Sequence, residues 1–299
     1  MFPMRSASSS LLRRSRLLVV GCGDVGQRVV RLVARRMRVL ALTSQPERRE
    51  ALRGLGITPL VGDLDAPRTV RRLAGLADRV LHLAPPPSTG GADPRTRHLL
   101  AALAGRRVPR ALVYASTTGV YGDAGGARFD ETRAVAPATD RARRRVEAEQ
   151  RVRWFGRAFG VRCAILRIPG IYAPDRTGGH PRERLARGTP VLRAEDDVYT
   201  NHIHADDLAR ACLRALFLAR PQRVLHACDD TELKMGDYFD LAADLAGLPR
   251  PPRISREEAR ARLPASLLSF MSESRRLDNT RLKRELRLRL RYPTVREGL

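Results

Sequence analysis

The sequence predicts an α/β fold: a doubly wound parallel sheet, followed by a smaller C-terminal domain. Three observations carry this. Short apolar or β-branched runs alternate with helical stretches of 10–20 residues through the first half of the chain, the spacing of parallel strands joined by crossover helices. The first such run leads directly into a glycine-rich segment that opens an amphipathic helix. After Ile168 the rhythm breaks into a Gly/Pro-rich stretch, Pro169–Gly179, where a second unit would begin.

In order, the predicted strands are Leu17–Val20, Arg38–Leu42, Val80–Leu83, Ala111–Ala115, Cys163–Ile168 and Arg223–Ala227. Helix Gln27–Arg36 has Val29, Val30, Leu32 and Val33 on one side and arginines on the other. Helix Pro67–Leu76 follows Asp65, read as an N-cap with proline just inside the first turn. Helix 139–159 carries the apolar stripe Val146, Val152, Phe155 and Phe159, and helix Asp207–Leu218 follows Asp206, read as its cap. Prolines 249, 251 and 252 mark a turn between later helices. Residues 1–16 read as a disordered leader, 17–170 with 200–230 as the larger domain, and 171–199 with 231–299 as the smaller one.

The 299 residues include 43% hydrophobic side chains and only 23 Gly and 20 Pro, which excludes disordered and collagen-like chains. Lys and Arg number 56 against 32 Asp and Glu, a net charge of +24. Such a balance invites a nucleic-acid reading. The cations, however, run through almost every segment, including the helix faces bearing Arg28, Arg31, Arg35, Arg36 and Arg141, Arg143, Arg144, Arg145. They read as solvated faces, and nucleic acid is not the expected partner. Only Lys234 and Lys283 are lysines.

Cys22, Cys163, Cys212 and Cys228 form no C-x-x-C pair and suit reduced core thiols and a cytoplasmic protein. No run approaches 18 apolar residues, so no membrane partner is expected. His202, His204, Asp206 and Asp207 could be drawn as a metal site, but the expectation is none.

Gly21-Cys22-Gly23-Asp24-Val25-Gly26 lies between a predicted strand and a predicted helix. In that setting the first glycine permits the turn, the second lets a diphosphate approach the backbone, and the third lets helix and strand pack closely. This is the fingerprint of a Rossmann-type dinucleotide site. An acidic residue about 20 positions further on would hold the ribose 2′-hydroxyl of NAD. The chain instead reads Thr43-Ser44-Gln45-Pro46-Glu47-Arg48-Arg49 there. Hydroxyls at Thr43 and Ser44 and a guanidinium at Arg48 or Arg49 suit a 2′-phosphate, so NADP is expected ahead of NAD.

Taken together, these segments resemble the extended short-chain dehydrogenase/reductases of the NAD(P)-dependent epimerase/dehydratase type. The resemblance implies that Asp63 and Leu64, in Gly62-Asp63-Leu64-Asp65, contact adenine, and that Leu83, Ala84 and Pro85 line the cofactor. It further implies that Pro169, in Leu166-Arg167-Ile168-Pro169-Gly170, meets the nicotinamide. Tyr114-Ala115-Ser116-Thr117-Thr118-Gly119-Val120-Tyr121-Gly122 matches the family's Ser/Thr-rich element, and Ile203-His204-Ala205-Asp206-Asp207 its helix start. The family's Tyr-x-x-x-Lys pair falls on Arg141 and Arg145, and no lysine precedes Lys234.

The resemblance is therefore to the atypical branch, and the candidate catalytic residues are Thr117, Arg145 and Tyr121. Tyr121 is either a surrogate acid or a packing residue under the loop. The expected function is that of an NAD(P)-dependent epimerase, dehydratase or reductase acting on a small-molecule substrate, with a non-catalytic NADP(H) sensor as the alternative. A homodimer is the candidate assembly.

Overall fold

A computed structural model describes residues 15–299, apart from the side chains of residues 265 and 266. Most of the expected leader lies outside the described residues, and Arg16 already opens the first strand.

Seven strands form one parallel sheet: β1 (Arg16–Val20), β2 (Arg38–Thr43), β3 (Thr58–Val61), β4 (Arg79–His82), β5 (Ala111–Thr117), β6 (Arg162–Ile168) and β7 (Arg223–His226). Their order is β7-β6-β5-β4-β1-β2-β3, with every pairing parallel. The order reverses at β1, which lies between β2 and β4, and ligands of open α/β sheets collect outside the carboxyl ends of strands at such a point.

Alternation along each strand explains the continuous apolar runs. Leu17, Val19, Ala41, Leu81, Val113 and Leu166 enter the core on one face, while Leu18, Val20, Leu42, Val80, Leu112 and Ile165 enter the core on the other. The first face is covered by α1 (Asp24–Val33), through Val29, Val30 and Val33. The second face is covered by α4 (Pro94–Ala104) and α5 (Asp140–Phe159), through Leu99, Leu103, Val152 and Phe155. Helix α7 (Ala205–Leu218) joins α1 through Leu208, Cys212 and Leu216. The short helices α2 (Arg49–Gly54) and α3 (Pro67–Val70) lie along the β2–β4 connections.

Several expectations need correction. Strand β3 is absent from the predicted set because it carries Pro59 and is only half-buried; an edge strand tolerates both. Asp65 does not cap α3, whose N-cap is Ala66; its carboxylate is taken by Arg95. Asp206 does not cap α7 either: His204 Nδ1 accepts from the Asp206 amide. Leu32 faces solvent while Arg28 is buried, the reverse of the predicted α1 faces. Arg144 is buried as well, so the solvated-face reading fails at both arginines. Phe159 is exposed at the end of the α5 stripe.

A separate core gathers Tyr172, Leu185, Val191, Met235, Phe239, Ile254, Met271 and Val295, drawn from the segments between β6 and α7 and after β7. Helices α6 (Arg182–Ala186) and α8 (Met235–Ala246) belong to it. Leu282, Leu286, Leu288 and Leu290, placed by sequence in the smaller unit, instead pack into the core shared by α1 and α7. All four cysteines are free and buried. Among the described residues no helix is long and apolar enough to cross a membrane.

Candidate functional site

The β1–α1 turn gives each glycine a distinct constraint. Gly21 has φ +88°, and a Cβ there would lie 2.5 Å from the Ala84 amide nitrogen. That close approach is fixed by hydrogen bonds from the Leu83 and Ala84 amides to the Val20 carbonyl, at 2.7 and 2.9 Å. A Cβ on Gly26 would sit 3.3 Å from both the Gly21 carbonyl and Val19, so it is the point where helix and strand meet. Gly23 is different, because a Cβ there meets nothing within 4 Å. It is the N-cap of α1 and supplies no side chain, which leaves the first-turn amides, including those of Asp24 and Val25, without a side-chain cap. Uncapped amides at the positive end of a helix, reached across an open glycine, form an anion cradle.

From this turn a cavity of about 440 Å³ runs across the ends of β1–β4. Gly21, Gly23, Thr43, Ser44, Arg48, Asp63, Leu64, Leu83, Ala84 and Pro85 all line it. Asp24, Val25, Gly26 and Pro169 do not; Pro169 follows β6, half-buried. Thr43 is buried and its hydroxyl accepts from the Gln45 amide, shaping the tip of β2. Ser44 is exposed. Arg48, in the turn between β2 and α2, reaches the glycine turn, Nη2 donating to the Cys22 carbonyl at 2.9 Å.

Cys22, Gln45, Asp65 and Arg95 also line the cavity and went unrecognised in the sequence. Arg95 grips Asp65 with two nitrogens, at 2.8 and 2.6 Å, and donates to the Pro85 carbonyl, tying the loops after β3 and β4 together. Arg95 and Asp65 are 30 residues apart, a separation at which only the fold announces the pair.

At the start of α1, Arg28 is 6% exposed and spends three nitrogens on three carboxylates: Nε on Asp24, Nη1 on Asp206 and Nη2 on Asp175. Burial opposes its charge, but the three carboxylates outweigh this and hold its pKa above the ordinary value. Arg176 covers the second oxygen of Asp24 at 2.6 Å. The predicted cofactor residue Asp24 therefore presents its carboxylate to two guanidiniums.

At the carboxyl end of β5, Thr117 is half-buried and its hydroxyl accepts from the Gly119 amide at 3.3 Å. Arg145, on α5, reaches the strand from the side and donates to the Ala115 carbonyl at 2.7 Å and the Tyr114 hydroxyl at 3.1 Å. Neighbouring Arg144 binds the Ser88 and Gly90 carbonyls, clamping the loop after β4. Arg141 is exposed, its guanidinium over the Phe270 ring.

Tyr121 is 1% exposed, and its hydroxyl is fully engaged: Arg167 Nη1 lies at 2.6 Å and His226 Nε2 at 2.6 Å. His226 Nδ1 faces the Asp278 carbonyl, so Nδ1 carries the proton and Nε2 accepts from the tyrosine. Burial raises the Tyr121 pKa to about 12, against the pull of Arg167, and lowers that of His226 to about 4. The surrogate-acid reading of Tyr121 does not fit this geometry, because the hydroxyl has no path to a substrate; the packing reading does. The same network continues through Arg167 to Glu149 and on to Ser116, which donates to Glu149 at 2.5 Å. It underpins the strand end that carries Thr117.

Other polar side chains have partners within the fold. Asp93 caps α4 and accepts from the Thr96 hydroxyl, so His82 Nε2 donates to Thr96 and Nδ1 is left unpartnered; burial, assisted by the charge of Arg145, holds His82 down to about 3. His202 stacks on Tyr238 and His204 on Tyr292, and no group of three metal-binding side chains occurs among the described residues. Asn279 stands at a helix N-terminus but donates instead to the Cys228 and Asp229 carbonyls. His180 has its pKa lowered by burial and by Arg182, and its Nδ1 accepts from the Arg182 amide. Arg184 lies over the Phe239 ring.

The sequence profile of the NAD dependent epimerase/dehydratase family matches residues 17–226. No curated protein matches the chain. Among solved structures, a conserved protein of unknown function from Silicibacter pomeroyi is 31% identical, with a TM-score of 0.78 over 95% of this chain and 96% of that one. A nucleoside-diphosphate-sugar epimerase from Pseudomonas aeruginosa superposes with a TM-score of 0.77 at 20% identity, over 95% and 94% of the two chains. A UDP-glucose 4-epimerase from Thermotoga maritima gives 0.76 at 20% identity, over 95% and 96%. The chain belongs to the NAD dependent epimerase/dehydratase family.

Proposed function

We propose that this protein binds a nicotinamide dinucleotide, NADP(H) in preference to NAD(H), and acts on a small polar molecule as an epimerase, dehydratase or reductase lacking the Tyr-x-x-x-Lys dyad. The observation that carries the reading is the β1–α1 turn: Gly21 and Gly26 are filled by neighbouring atoms while Gly23 alone is open, above uncapped amides. In this reading the diphosphate rests on the amides of Asp24 and Val25. Asp63 and Leu64 border the adenine, Leu83, Ala84 and Pro85 flank the chain of the cofactor, and Pro169 faces the nicotinamide.

The preference for NADP rests on the absence of an acidic side chain at the tip of β2, on the exposed Ser44 hydroxyl, and on Arg48 at the cavity wall. The nicotinamide would supply a hydride acceptor or donor. This chain would contribute orientation: Thr117 as a hydroxyl beside the reacting carbon, and Arg145 as a fixed positive charge and hydrogen-bond donor behind it. The substrate would sit between the sheet and the smaller unit formed mainly by residues 171–199 and 231–279. Sugar nucleotides, the molecules named for two of the neighbours, are the first class to test. Four buried thiols support a cytoplasmic setting.

A second reading, a non-catalytic NADP(H) sensor, is favoured by one observation: Tyr121 is sealed under the loop, which removes the candidate surrogate acid. A panel of sugar nucleotides, alcohols and carbonyls followed by nicotinamide absorbance separates the two. Turnover that Thr117→Ala abolishes supports the enzyme; tight NADPH binding with no turnover on any class supports the sensor. Tighter binding of NADH than of NADPH would refute the cofactor preference.

A further inference from the structure

The loop beyond residues 170–172 carries Asp175 and Arg176, and α1 carries Asp24 and Arg28 one turn apart. The four make two crossed ion pairs, Arg28 Nη2 to Asp175 at 2.5 Å and Arg176 Nη1 to Asp24 at 2.6 Å. The two arginines are not equivalent. Arg28 is buried and has spent all three of its nitrogens on Asp24, Asp175 and Asp206, so it works as an anchor that fixes the loop to the helix. Arg176 is 26% exposed, and among the described residues only its Nη1 has a protein partner, leaving Nε and Nη2 unspent.

Asp24 is the first residue of α1, so the Arg176 guanidinium is ion-paired to the turn whose amides have no side-chain cap. A bare carboxylate at that place would oppose a diphosphate, and both of its oxygens are covered by guanidiniums. We propose that Arg176 is a diphosphate-binding residue, held in place by Asp24 and offering its free nitrogens to the pyrophosphate of the dinucleotide. The inference rests on the dinucleotide reading above. It adds a ligand that comes from outside the glycine turn and so couples cofactor binding to the segment after β6. A guanidinium fork suits a phosphate oxygen pair, whereas lysine would offer only a point charge.

The test compares ADP-ribose, which carries the pyrophosphate, with adenosine, which does not, on the full chain by calorimetric or NMR titration. Arg176→Gln is expected to weaken ADP-ribose about tenfold to a hundredfold, the span of one or two charge-assisted hydrogen bonds, and to leave adenosine unchanged. Arg176→Lys is expected to fall between, and it carries the same comparison should the glutamine variant fail to fold. ADP-ribose affinity within twofold of wild type in both variants overturns the inference while leaving the dinucleotide reading intact. Equal losses for the two ligands, with a lowered melting temperature, also overturn it, since Arg176 would then be a strut. Failure of the wild-type protein to bind ADP-ribose or NADPH overturns the dinucleotide reading itself.

Discussion

Replacing Gly23 by alanine separates the binding site from the fold. Gly23 has φ −83°, and an added Cβ touches no protein atom within 4 Å. The structural cost is therefore only the difference between glycine and alanine at an N-cap, about 0.5–1 kcal/mol. The methyl would, however, project into the cavity at the mouth of the anion cradle. Keeping a diphosphate off two amides forfeits charge-assisted hydrogen bonds worth about 1.5–3 kcal/mol each, so NADPH affinity should drop at least a hundredfold.

Gly21→Ala is the contrasting control. Its positive φ costs alanine about 1–2 kcal/mol, and the 2.5 Å clash with Ala84 displaces the two amides that bind the Val20 carbonyl. A loss of about 2–5 kcal/mol in stability is expected there. Urea denaturation and NADPH fluorescence titration measure both quantities. Wild-type NADPH affinity in Gly23→Ala, or wild-type stability in Gly21→Ala, would refute the division of labour among the glycines.

Three further outcomes follow from the same geometry. Tyr121→Phe strips His226 Nε2 and one Arg167 nitrogen of their shared partner and should cost about 1–3 kcal/mol in urea denaturation while leaving NADPH affinity unchanged; a stable variant with altered affinity would contradict the packing role. Asp229 is 3% exposed and burial raises its pKa from 3.8 to about 7, so its protonated form is the one the fold prefers. Its contribution is complete below about pH 4 and is lost as pH rises towards 7. Asp229→Asn should therefore remove that decline and gain about 2–4 kcal/mol at pH 8, and a pH profile of stability identical to wild type would count against it. Arg48→Ala should weaken NADPH about tenfold and NADH little, as competitive titrations would read; equal losses would assign Arg48 to the Cys22 carbonyl alone.

Much of the cavity at the β1–α1 turn was legible because its parts are local. A strand, three spaced glycines and a helix lie within 20 residues; Gly21 and Gly26 answer to close backbone contacts, while Gly23 borders open space. The sheet was legible for a similar reason, since strands buried on both faces read as unbroken apolar runs. Strand β3 escaped because an edge position permits Pro59 and half-burial. Charged residues were the least readable. Arg28 and Arg144 read as surface arginines in sequence, yet both are buried and reach distant partners, Asp206 and the Ser88 carbonyl; Arg167 is likewise buried, against Glu149. The caps expected of Asp65 and Asp206 failed for the same reason: each carboxylate found an arginine that only the fold brings near.

In the proposed reading a dinucleotide lies across β1 and β4 with its diphosphate on the α1 turn. A crystal structure grown with NADPH tests it most directly. The expected result is a pyrophosphate over Gly23 within hydrogen-bond reach of the Asp24 and Val25 amides, with adenosine between Thr43 and Asp63. A nucleotide bound elsewhere, or a diphosphate held away from that turn, would contradict it.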